Sequence, residues 1–398
     1  MLHVAEYLLT HTFAELETDH GICSRMSRTF DKVTLNYDTI LASPGDVYAN
    51  QCRGLVIRPV LPFSGEDGWK DRVVGPINIL ARPMDRFFNH GDSNAAQVNW
   101  DDPELRVFEK LDGTMIVTYW DPMRQRWFTG TRSVPEADLP IRPDDINIGM
   151  MTFSDLFMLG LRNAFHRPDL TRELFGDELG WDRTITYVFE LTSPINRVVV
   201  RYDVTIVTLV AARTTITGKE WPVDSLGMPF PSFYDLRDPA ALEAFINTND
   251  PSKFEGCVVV DSEFRRQKMK SMAWVLSSRA KDLVSVSRRA ALGAAIDGTL
   301  DDVIPLVEES IAKDLTDLCD RARSYLLNVD AQYQALKTLS KGDRKEFALL
   351  VQGQKHTPQA ILFGLYTGKG QTAAEVVRNR KGGTNLLDAL LEKLGYTH

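Results

Sequence analysis

The sequence contains 398 residues, of which 43% are hydrophobic and 25% are charged, and its net charge is −8. These values describe a globular protein long enough for two domains, and they argue against a strongly basic nucleic-acid coat protein. No apolar run approaches the roughly 18 residues that a membrane-spanning helix needs, so we expect no membrane partner.

The amino terminus and the cysteines favour a cytoplasmic location. The first twenty residues, MLHVAEYLLTHTFAELETDH, have neither a basic leader nor a small-residue cleavage site, and we expect them to form the first structural element. Seven histidines without an HExxH or HxH pair do not favour a histidine-built metal site. The cysteines include no CxxC pair, which disfavours a zinc site and a disulfide framework; they are Cys23, Cys52, Cys257 and Cys319.

Up to about residue 275, short β-branched apolar runs alternate with turns, a pattern typical of strands. The runs are RGLVIRPV, RVVGPINILARP, TMIVTYW, TITYVFEL, NRVVVRYDVTIVTLVAA and EGCVVVD. The run NRVVVRYDVTIVTLVAA, the longest of them, is predicted to contain two strands. Residues 151–178 and 239–249 are predicted to be helical, with a break at Pro168 in the first.

Beyond about residue 275, apolar residues recur at three- and four-residue spacing, which is typical of helices. All seven tryptophans lie at or before Trp274, so the composition changes at the same place. We therefore predict an α+β domain with antiparallel sheets over residues 1–275 and an all-helical domain over residues 276–398. The predicted helices of the second domain span residues 276–296, 301–326, 328–339, 343–353, 358–366, 371–380 and 384–394.

The segment RVFEKLDGTMIVTYW contains the first candidate for chemistry. Lys110 is followed by Asp112 and Gly113 and then by a predicted strand. A lysine at a strand–loop junction, beside a glycine that allows close backbone approach, can present its amine to a phosphorus atom. Because Asp-Gly is also a common hairpin turn, a surface turn is the alternative for this segment taken alone.

The segment TYVFELTSPINRVVVRY is the second candidate. Glu190 follows Phe189 near the end of a predicted strand, where its carboxylate could face a pocket and accept hydrogen bonds from ribose hydroxyls. An edge glutamate in solvent is the alternative. The Ser-Pro-Ile-Asn-Arg turn that follows places several hydrogen-bonding groups between two apolar runs.

The segments KFEGCVVVD and RRQKMKSMAW are the third and fourth candidates. Glu255 precedes a β-branched strand, and Lys268 and Lys270 lie two residues apart, so both ammonium groups should point to one face of a strand. Two neighbouring cations are unfavourable unless an anion lies between them, although a solvated basic strand is the alternative. Between Glu263 and Arg289, eight basic residues outnumber two acidic ones, a local charge of +6 that suits phosphate binding despite the acidic total.

The order of these four segments resembles motifs I, III, IV and V of the covalent nucleotidyltransferases, the superfamily of DNA ligases, RNA ligases and capping enzymes. The flanking segments QCRGLVIR, ILARPMDRFFNHGD, EKLDGT and FELTSPINRVVVRY resemble the RNA ligase 1 family of T-even bacteriophages. The resemblance covers roughly residues 50–275. It implies a nucleotidyltransferase fold for the first domain.

The resemblance implies a role for each matched residue. Lys110 would be the nucleophile that carries AMP, Glu190 would bind the ribose, and Glu255 would act at the bound metal or nucleotide. Lys268 and Lys270 would bind the α-phosphate and assist catalysis. The implied nucleotide-binding set is Arg53, Arg86, Phe88, Lys110, Asp112, Gly113, Glu190, Glu255, Lys268 and Lys270.

Two positions depart from the family pattern. Arg86 stands where the family usually has a lysine before Phe-Phe-Asn, which keeps the charge but changes the donor geometry. Trp274 stands where the family often has a tyrosine shortly after motif V.

The implied chemistry explains why a lysine and other cations would be grouped together. An amine attacks only when it is unprotonated, and neighbouring cations disfavour the ammonium form, so we expect a lowered pKa at Lys110. The same cations would stabilise charge on the α-phosphate as pyrophosphate leaves. The expected cofactors are ATP and Mg²⁺ or Mn²⁺, held mostly by water and phosphates, since the sequence identifies no metal ligands of its own.

The implied function is ATP-dependent joining of RNA 5′-phosphate and 3′-hydroxyl ends, with nicked tRNA as a candidate substrate and an end-healing kinase–phosphatase as a functional partner. A phage origin would place the protein in the cytoplasm of an infected bacterium. The alternatives are a DNA ligase, a guanylyltransferase or an inactive RNA-binding relative. A DNA ligase or capping enzyme would normally continue into short alternating strands after motif V, whereas helices are predicted here. The helical domain is either a packing cap or an RNA-specificity module.

Overall fold

The computed structural model describes residues 2–38, 41–60, 68–141, 151–275, 278, 288–297, 309–354, 357–378 and 384–396. The chain divides into two compact units, Met1–Ser271 and Met272–His398. Each unit has its own hydrophobic core. Among the described residues, no helix combines the length and apolar character needed to cross a bilayer.

The first unit contains fourteen strands among its described residues. In chain order they are β1 Ile22–Met26, β2 Val33–Tyr37, β3 Arg53–Pro59, β4 Ile77–Ala81, β5 Phe88–Asn89, β6 Arg106–Glu109, β7 Thr114–Asp121, β8 Arg126–Thr131, β9 Ile185–Thr192, β10 Ile206–Thr214, β11 Glu220–Trp221, β12 Phe233–Tyr234, β13 Gly256–Val260 and β14 Arg266–Lys270. They form three sheets, in the orders β1-β2-β3-β4, β11-β10-β9-β7-β8 and β12-β6-β13-β14-β5.

The predicted α+β fold with antiparallel sheets is confirmed, with one exception in the pairing. The short strand β5 runs parallel to β14, while the other strand pairs in the three sheets are antiparallel. The helices of this unit are α1 His3–Leu8, α2 Phe13–His20, α3 Val47–Gln51, α4 Phe153–Phe165, α5 Phe175–Glu178 and α6 Pro239–Thr248. Thr12 and Thr152 begin α2 and α4 with reciprocal capping boxes, so side chains satisfy free amides at both starts.

The first two sheets are joined by a buried charge pair. Arg58 of β3 donates two hydrogen bonds, of 2.9 and 2.6 Å, to the carboxylate of Asp121 at the end of β7. The Asp121 side chain is fully buried, and the Arg58 side chain is 7% exposed. Because this bidentate contact fixes β3 against β7, it also fixes Arg53, the first residue of β3.

The prediction of two strands in NRVVVRYDVTIVTLVAA is wrong. One strand, β10, begins at Ile206, and residues 196–205 form no strand. The reason is that the amides of Val199 and Val200 both donate to the Asp112 carboxylate, each at 2.7 Å, and so do not enter a sheet. Apolar composition alone could not identify this competing acceptor.

The second unit is helical over its described residues. Its helices are α7 Arg288–Asp297, α8 Glu309–Leu339, α9 Arg344–Gln352, α10 Gln359–Tyr366, α11 Ala373–Arg378 and α12 Thr384–Lys393. The predicted break between residues 326 and 328 is wrong, since α8 runs through it with Leu326 and Val329 both in the core. The predicted helical residues 279–287 and 301–308 lie outside the described residues, and so do Arg279 and Lys281 of the basic stretch.

Candidate active site

The third sheet arranges the candidate residues in rows. Phe108 of β6 lies opposite Val258 of β13, which lies opposite Lys268 of β14. Directly opposite residues in an antiparallel pair point to the same face, so these three side chains form one row. One row further along, Gly256 lies opposite Lys270, and the Lys110 amide donates to the Gly256 carbonyl at 2.8 Å. Motifs far apart in sequence thereby meet at one end of the sheet.

Lys110 and Lys270 share one carboxylate. Lys110 Nζ lies 2.7 Å from Glu255 Oε2, and Lys270 Nζ lies 2.9 Å from Glu255 Oε1. The Glu255 side chain is 2% exposed, whereas the two lysine side chains are 22% and 24% exposed. The two ammonium groups are therefore held close together by a buried anion and remain accessible to solvent on their other side.

The loop after Lys110 is held by contacts rather than by a hairpin turn. The Asp112 carboxylate accepts the amides of Val199 and Val200, and the Asp112 amide donates to the Tyr202 hydroxyl at 2.9 Å. The Gly113 amide donates to the Glu190 carboxylate at 3.0 Å. A Cβ on Gly113 would lie 2.3 Å from the Leu191 carbonyl oxygen, so close approach to β9 explains the glycine.

A cleft opens beside Lys110, with a volume of about 580 Å³ when the space open to solvent at its mouth is included. Its walls are mostly apolar, and Arg53, Glu109, Lys110, Glu190 and Arg266 supply charged side chains to the lining. The lining residues are Arg53, Met84, Phe87, Phe108, Glu109, Lys110, Leu111, Glu190, Val210, Val223, Pro231, Val258, Val260 and Arg266.

Two charged groups near the cleft titrate abnormally. Burial, together with the neighbouring charges of Lys270, Lys110 and Arg53, lowers the pKa of Lys268 to about 8. Burial raises the pKa of Glu190 to about 7, against the opposing influence of Lys110. The Nη1 atom of Arg53 is buried and has no hydrogen-bond partner among the described residues. A buried guanidinium donor of this kind is suited to an anion.

Of the ten predicted nucleotide-binding residues, Arg53, Lys110 and Glu190 line this cleft. Asp112, Gly113, Glu255, Lys268 and Lys270 lie in the segments next to Lys110 or on the neighbouring strands, whereas Arg86 and Phe88 lie elsewhere. Arg86 and Phe88 line a second cavity, and the Arg86 guanidinium stacks over the rings of Tyr37 and Phe88 at 4.4 and 5.0 Å. Phe87 lines both cavities instead. Phe87 directly precedes β5, and Phe88 is the first residue of that strand.

Several cleft residues were not predicted from the sequence. Met84, Val210 and Val223 form apolar walls, and Arg266 lies on the same face of β14 as Lys268 and Lys270. Arg266 could have been found, because it continues the two-residue spacing of the lysines. The aliphatic residues carry no signal that separates them from ordinary core positions.

Among the described residues, no group of three or more histidine, cysteine, aspartate or glutamate side chains is placed to hold a metal ion. Two carboxylates lie near Lys110. Glu255 contacts the Lys110 ammonium group, and Glu190 lines the cleft with Lys110. One or two carboxylates suit Mg²⁺ or Mn²⁺ that is held otherwise by water and phosphate oxygens. The donor set therefore fits a divalent ion that arrives with a nucleotide.

Comparison with solved structures finds two kinds of RNA ligase. An archaeal ATP-dependent RNA ligase is 15% identical with a TM-score of 0.40, over 81% of this chain and 78% of that chain. A Naegleria gruberi RNA ligase with PPi is 14% identical with a TM-score of 0.31, over 45% of this chain and 52% of that chain.

Two curated relatives are similar in sequence. An RNA ligase of Rhodothermus phage RM378 is 25% identical over 190 residues, which is 42% of this chain and 38% of the relative. A protein of Autographa californica nuclear polyhedrosis virus, whose name describes a bifunctional polynucleotide kinase/RNA ligase, is 24% identical over 212 residues, 51% of this chain and 27% of the relative. The chain thus spans less than two fifths of the length of either relative.

The sequence model of the RNA ligase family represented by T4 RNA ligase 1 matches residues 51–281, more than half of the chain. The matched segment contains Lys110, Glu190, Glu255, Lys268 and Lys270, the residues whose side chains gather at one end of the cleft or beside it. The chain belongs to the T4 RNA ligase 1 family of RNA ligases.

Proposed function

We propose that this protein is an ATP-dependent RNA ligase that joins 5′-phosphate and 3′-hydroxyl RNA ends through AMP carried on Lys110. The observation that carries the proposal is the grouping of Lys110, Lys270 and Glu255 within hydrogen-bonding distance beside a cleft that Lys110 lines. Membership of the RNA ligase family supports the same reaction.

In the first step, Lys110 Nζ attacks the α-phosphorus of ATP. A nitrogen–phosphorus bond forms, the bond from that phosphorus to the bridging oxygen breaks, and pyrophosphate leaves. The attacking amine must lose a proton, and Glu255 Oε2, 2.7 Å from Lys110 Nζ, is the nearest acceptor. Because Glu255 also contacts Lys270, it holds a cation where the α-phosphate would lie.

The remaining groups would position the nucleotide. The aliphatic and aromatic walls of the cleft would hold adenine, and Glu190 would accept hydrogen bonds from the ribose. Lys268, Lys270 and the unpaired donor of Arg53 would bind phosphate oxygens. Mg²⁺ or Mn²⁺, bordered by Glu255 and Glu190, would supply charge neutralisation on the leaving pyrophosphate.

Two further transfers complete the joining reaction. An oxygen of the RNA 5′-phosphate attacks the phosphorus of the AMP, the nitrogen–phosphorus bond breaks, and Lys110 regains a proton. The 3′-hydroxyl of a second RNA end then attacks the 5′-phosphorus, and AMP leaves. Both transfers use the phosphate-binding cations again, which explains why a single cleft can serve all three steps.

We propose the helical unit as an RNA-specificity module, with nicked tRNA as a candidate substrate and an end-healing kinase–phosphatase as a functional partner. The basic residues Lys337, Lys341, Arg344 and Lys345 at the end of α8 and the start of α9 support an RNA contact. The kinase named in the viral relative supports the link to end healing.

The test is covalent labelling followed by ligation. Wild-type protein incubated with α-labelled ATP and Mg²⁺ should become labelled, whereas Lys110→Ala should not, and single-stranded RNA should be sealed in preference to DNA. Labelling of the Lys110→Ala variant would refute Lys110 as the nucleophile. Labelling by GTP would indicate a guanylyltransferase, preferential sealing of DNA would indicate a DNA ligase, and an unlabelled wild-type protein would indicate an RNA-binding relative.

A further inference from the structure

Two phenylalanines stand apart from the other aromatic residues. Among the tyrosine, tryptophan and phenylalanine residues that the structure describes, only Phe230 and Phe233 are exposed, by 37% and 59%. Single exposed aliphatic residues are common on protein surfaces, but two exposed aromatic rings within four residues are not explained by chance exposure. Pro231, which lies between them, lines the cleft beside Lys110. The exposed rings therefore lie at the edge of the candidate active site.

Phe233 extends the row of side chains that crosses the cleft. Phe233 of the edge strand β12 lies directly opposite Phe108 of β6, which in turn lies opposite Val258 and is followed by Lys268. Since directly opposite residues share a face, the Phe233 ring projects on the side of the sheet that carries Lys268 and the cleft. The row therefore runs from the exposed Phe233 ring, through Phe108 and Val258 in the cleft wall, to the ammonium group of Lys268.

The exposure of Phe233 is built into β12 and does not result from a poorly packed core. Its neighbour Tyr234 points to the opposite face and packs against Phe245 and Phe254. The backbone is fixed as well, because the Glu109 amide donates to the Ser232 carbonyl at 2.7 Å. The ring is thus held at a defined position, two residues along the pairing from Lys110.

We propose that Phe233 is an RNA-binding residue that stacks on the base of the 5′-terminal nucleotide while its phosphate lies at Lys110. This inference rests on the proposed RNA ligase function. Single-stranded RNA is commonly bound by aromatic side chains that stack on unpaired bases, with cations placed for the phosphates. Phe233 offers the ring, and Lys110 and Lys268 offer the cations on the same side of the sheet.

The ring is placed for RNA rather than for the base of ATP. Phe108, Val258 and Val210 form cleft walls that could hold adenine, whereas Phe233 lies one strand further out, on the edge strand β12. Phe233 should therefore contribute to the transfer of AMP from Lys110 to RNA and not to the loading of Lys110 by ATP. This separation of steps makes the proposal testable independently of ligase activity as such.

The experiment compares wild type with Phe233→Ala, Phe233→Trp and the control Met123→Ala, which removes a side chain that is 73% exposed in the turn between β7 and β8. Each protein is loaded with labelled AMP, and transfer to 5′-phosphorylated RNA is measured against RNA concentration. For Phe233→Ala we expect loading by ATP within about twofold of wild type, and a KM for RNA raised about 5- to 150-fold, the range for loss of one base stack. Tryptophan should restore the wild-type KM, and the Met123 control should not differ from wild type.

A second substrate tests the assigned base. With RNA whose 5′-terminal nucleotide lacks a base, wild type and Phe233→Ala should show the same KM, because there is nothing to stack. An unchanged KM for intact RNA in Phe233→Ala would overturn the proposal, and so would an equal loss of loading by ATP, which would place the ring in the nucleotide site. Failure of the wild type to become labelled would instead contradict the proposed function itself.

Discussion

Lys268 is partly buried beside three other cations, Lys270, Lys110 and Arg53. Burial, followed by the charges of Lys270, Lys110 and Arg53, lowers the pKa of Lys268 to about 8. Glu255 opposes this effect only in part, so a phosphate placed among these groups would add the counter-charge that the cluster still lacks. The lowered pKa has a direct kinetic consequence.

We expect kcat/KM for ATP in the loading of Lys110 to fall as pH rises above about 8. Lys268 is charged and can bind phosphate below its pKa, and it loses that charge above it. Because kcat/KM reports groups of the free enzyme, this alkaline decrease should follow the pKa of Lys268. Lys268→Arg should shift the decrease to higher pH, since a guanidinium remains protonated.

Rates of AMP loading measured from pH 6 to 10 for wild type, Lys268→Arg and Lys268→Met test this expectation. The methionine variant, which carries no charge at any pH, should be slow throughout and lack the decrease near pH 8. If the arginine variant kept the decrease at the wild-type pH, another group would be responsible for it.

At the scale of elements, the loop that carries Lys110 depends on a segment about ninety residues further along the chain. Asp112 is 4% exposed, and its carboxylate accepts the amides of Val199 and Val200 in place of sheet partners. Asn196 makes a second contact between these two segments, since its side-chain amide donates to the Thr114 hydroxyl at 2.6 Å. The turn after motif III therefore serves to fix the loop between β6 and β7.

We expect Asp112→Ala to lower the free energy of unfolding by about 2 kcal/mol or more, because two buried amides would lose their acceptor. AMP loading should also fall, since the loop beside Lys110 would no longer be fixed. Asp112→Asn keeps one carbonyl oxygen as an acceptor, so its free energy of unfolding and its AMP loading should both fall less than those of Asp112→Ala. Urea unfolding and labelling by ATP measure the two effects. Equal stability of the alanine variant and the wild type would show that the loop is held by other contacts.

The sequence predicted the arrangement of site residues where that arrangement follows from residue spacing or from a short segment. The two-residue spacing of Lys268 and Lys270 predicted one face of a strand, and the Lys110 segment predicted a strand–loop junction; both are found in the structure. Contacts between distant segments could not be read in the same way. The hydrogen bond from the Val199 amide to the Asp112 carboxylate depends on tertiary packing. So does the fact that Phe87, and not Phe88, lines the cleft. The sequence also does not distinguish an exposed phenylalanine such as Phe233 from a buried one, because both occur in segments that form strands.

At the scale of the whole molecule, the division into Met1–Ser271 and Met272–His398 separates two hydrophobic cores. The residues grouped around Lys110, and the cleft they border, belong to the first unit. Within the part of the chain that the structure describes, the core of the second unit is built mainly from α7 to α12, with Leu318, Val351 and Leu390 among its buried residues. The residues around Lys110 and the helical unit thus have separate cores, which allows the two units to be tested separately.

We expect a fragment of residues 1–281, which keeps the segment matched to the RNA ligase family, to load AMP at close to the full-length rate. Its sealing of nicked tRNA should fall by roughly tenfold or more, a loss of about 1.4 kcal/mol of RNA recognition, while sealing of short single-stranded RNA should change less. Circular dichroism and a cooperative unfolding transition would first establish that the fragment is folded. Unchanged sealing of nicked tRNA by a folded fragment would assign the helical unit a packing role, because RNA recognition would then reside entirely in the first unit.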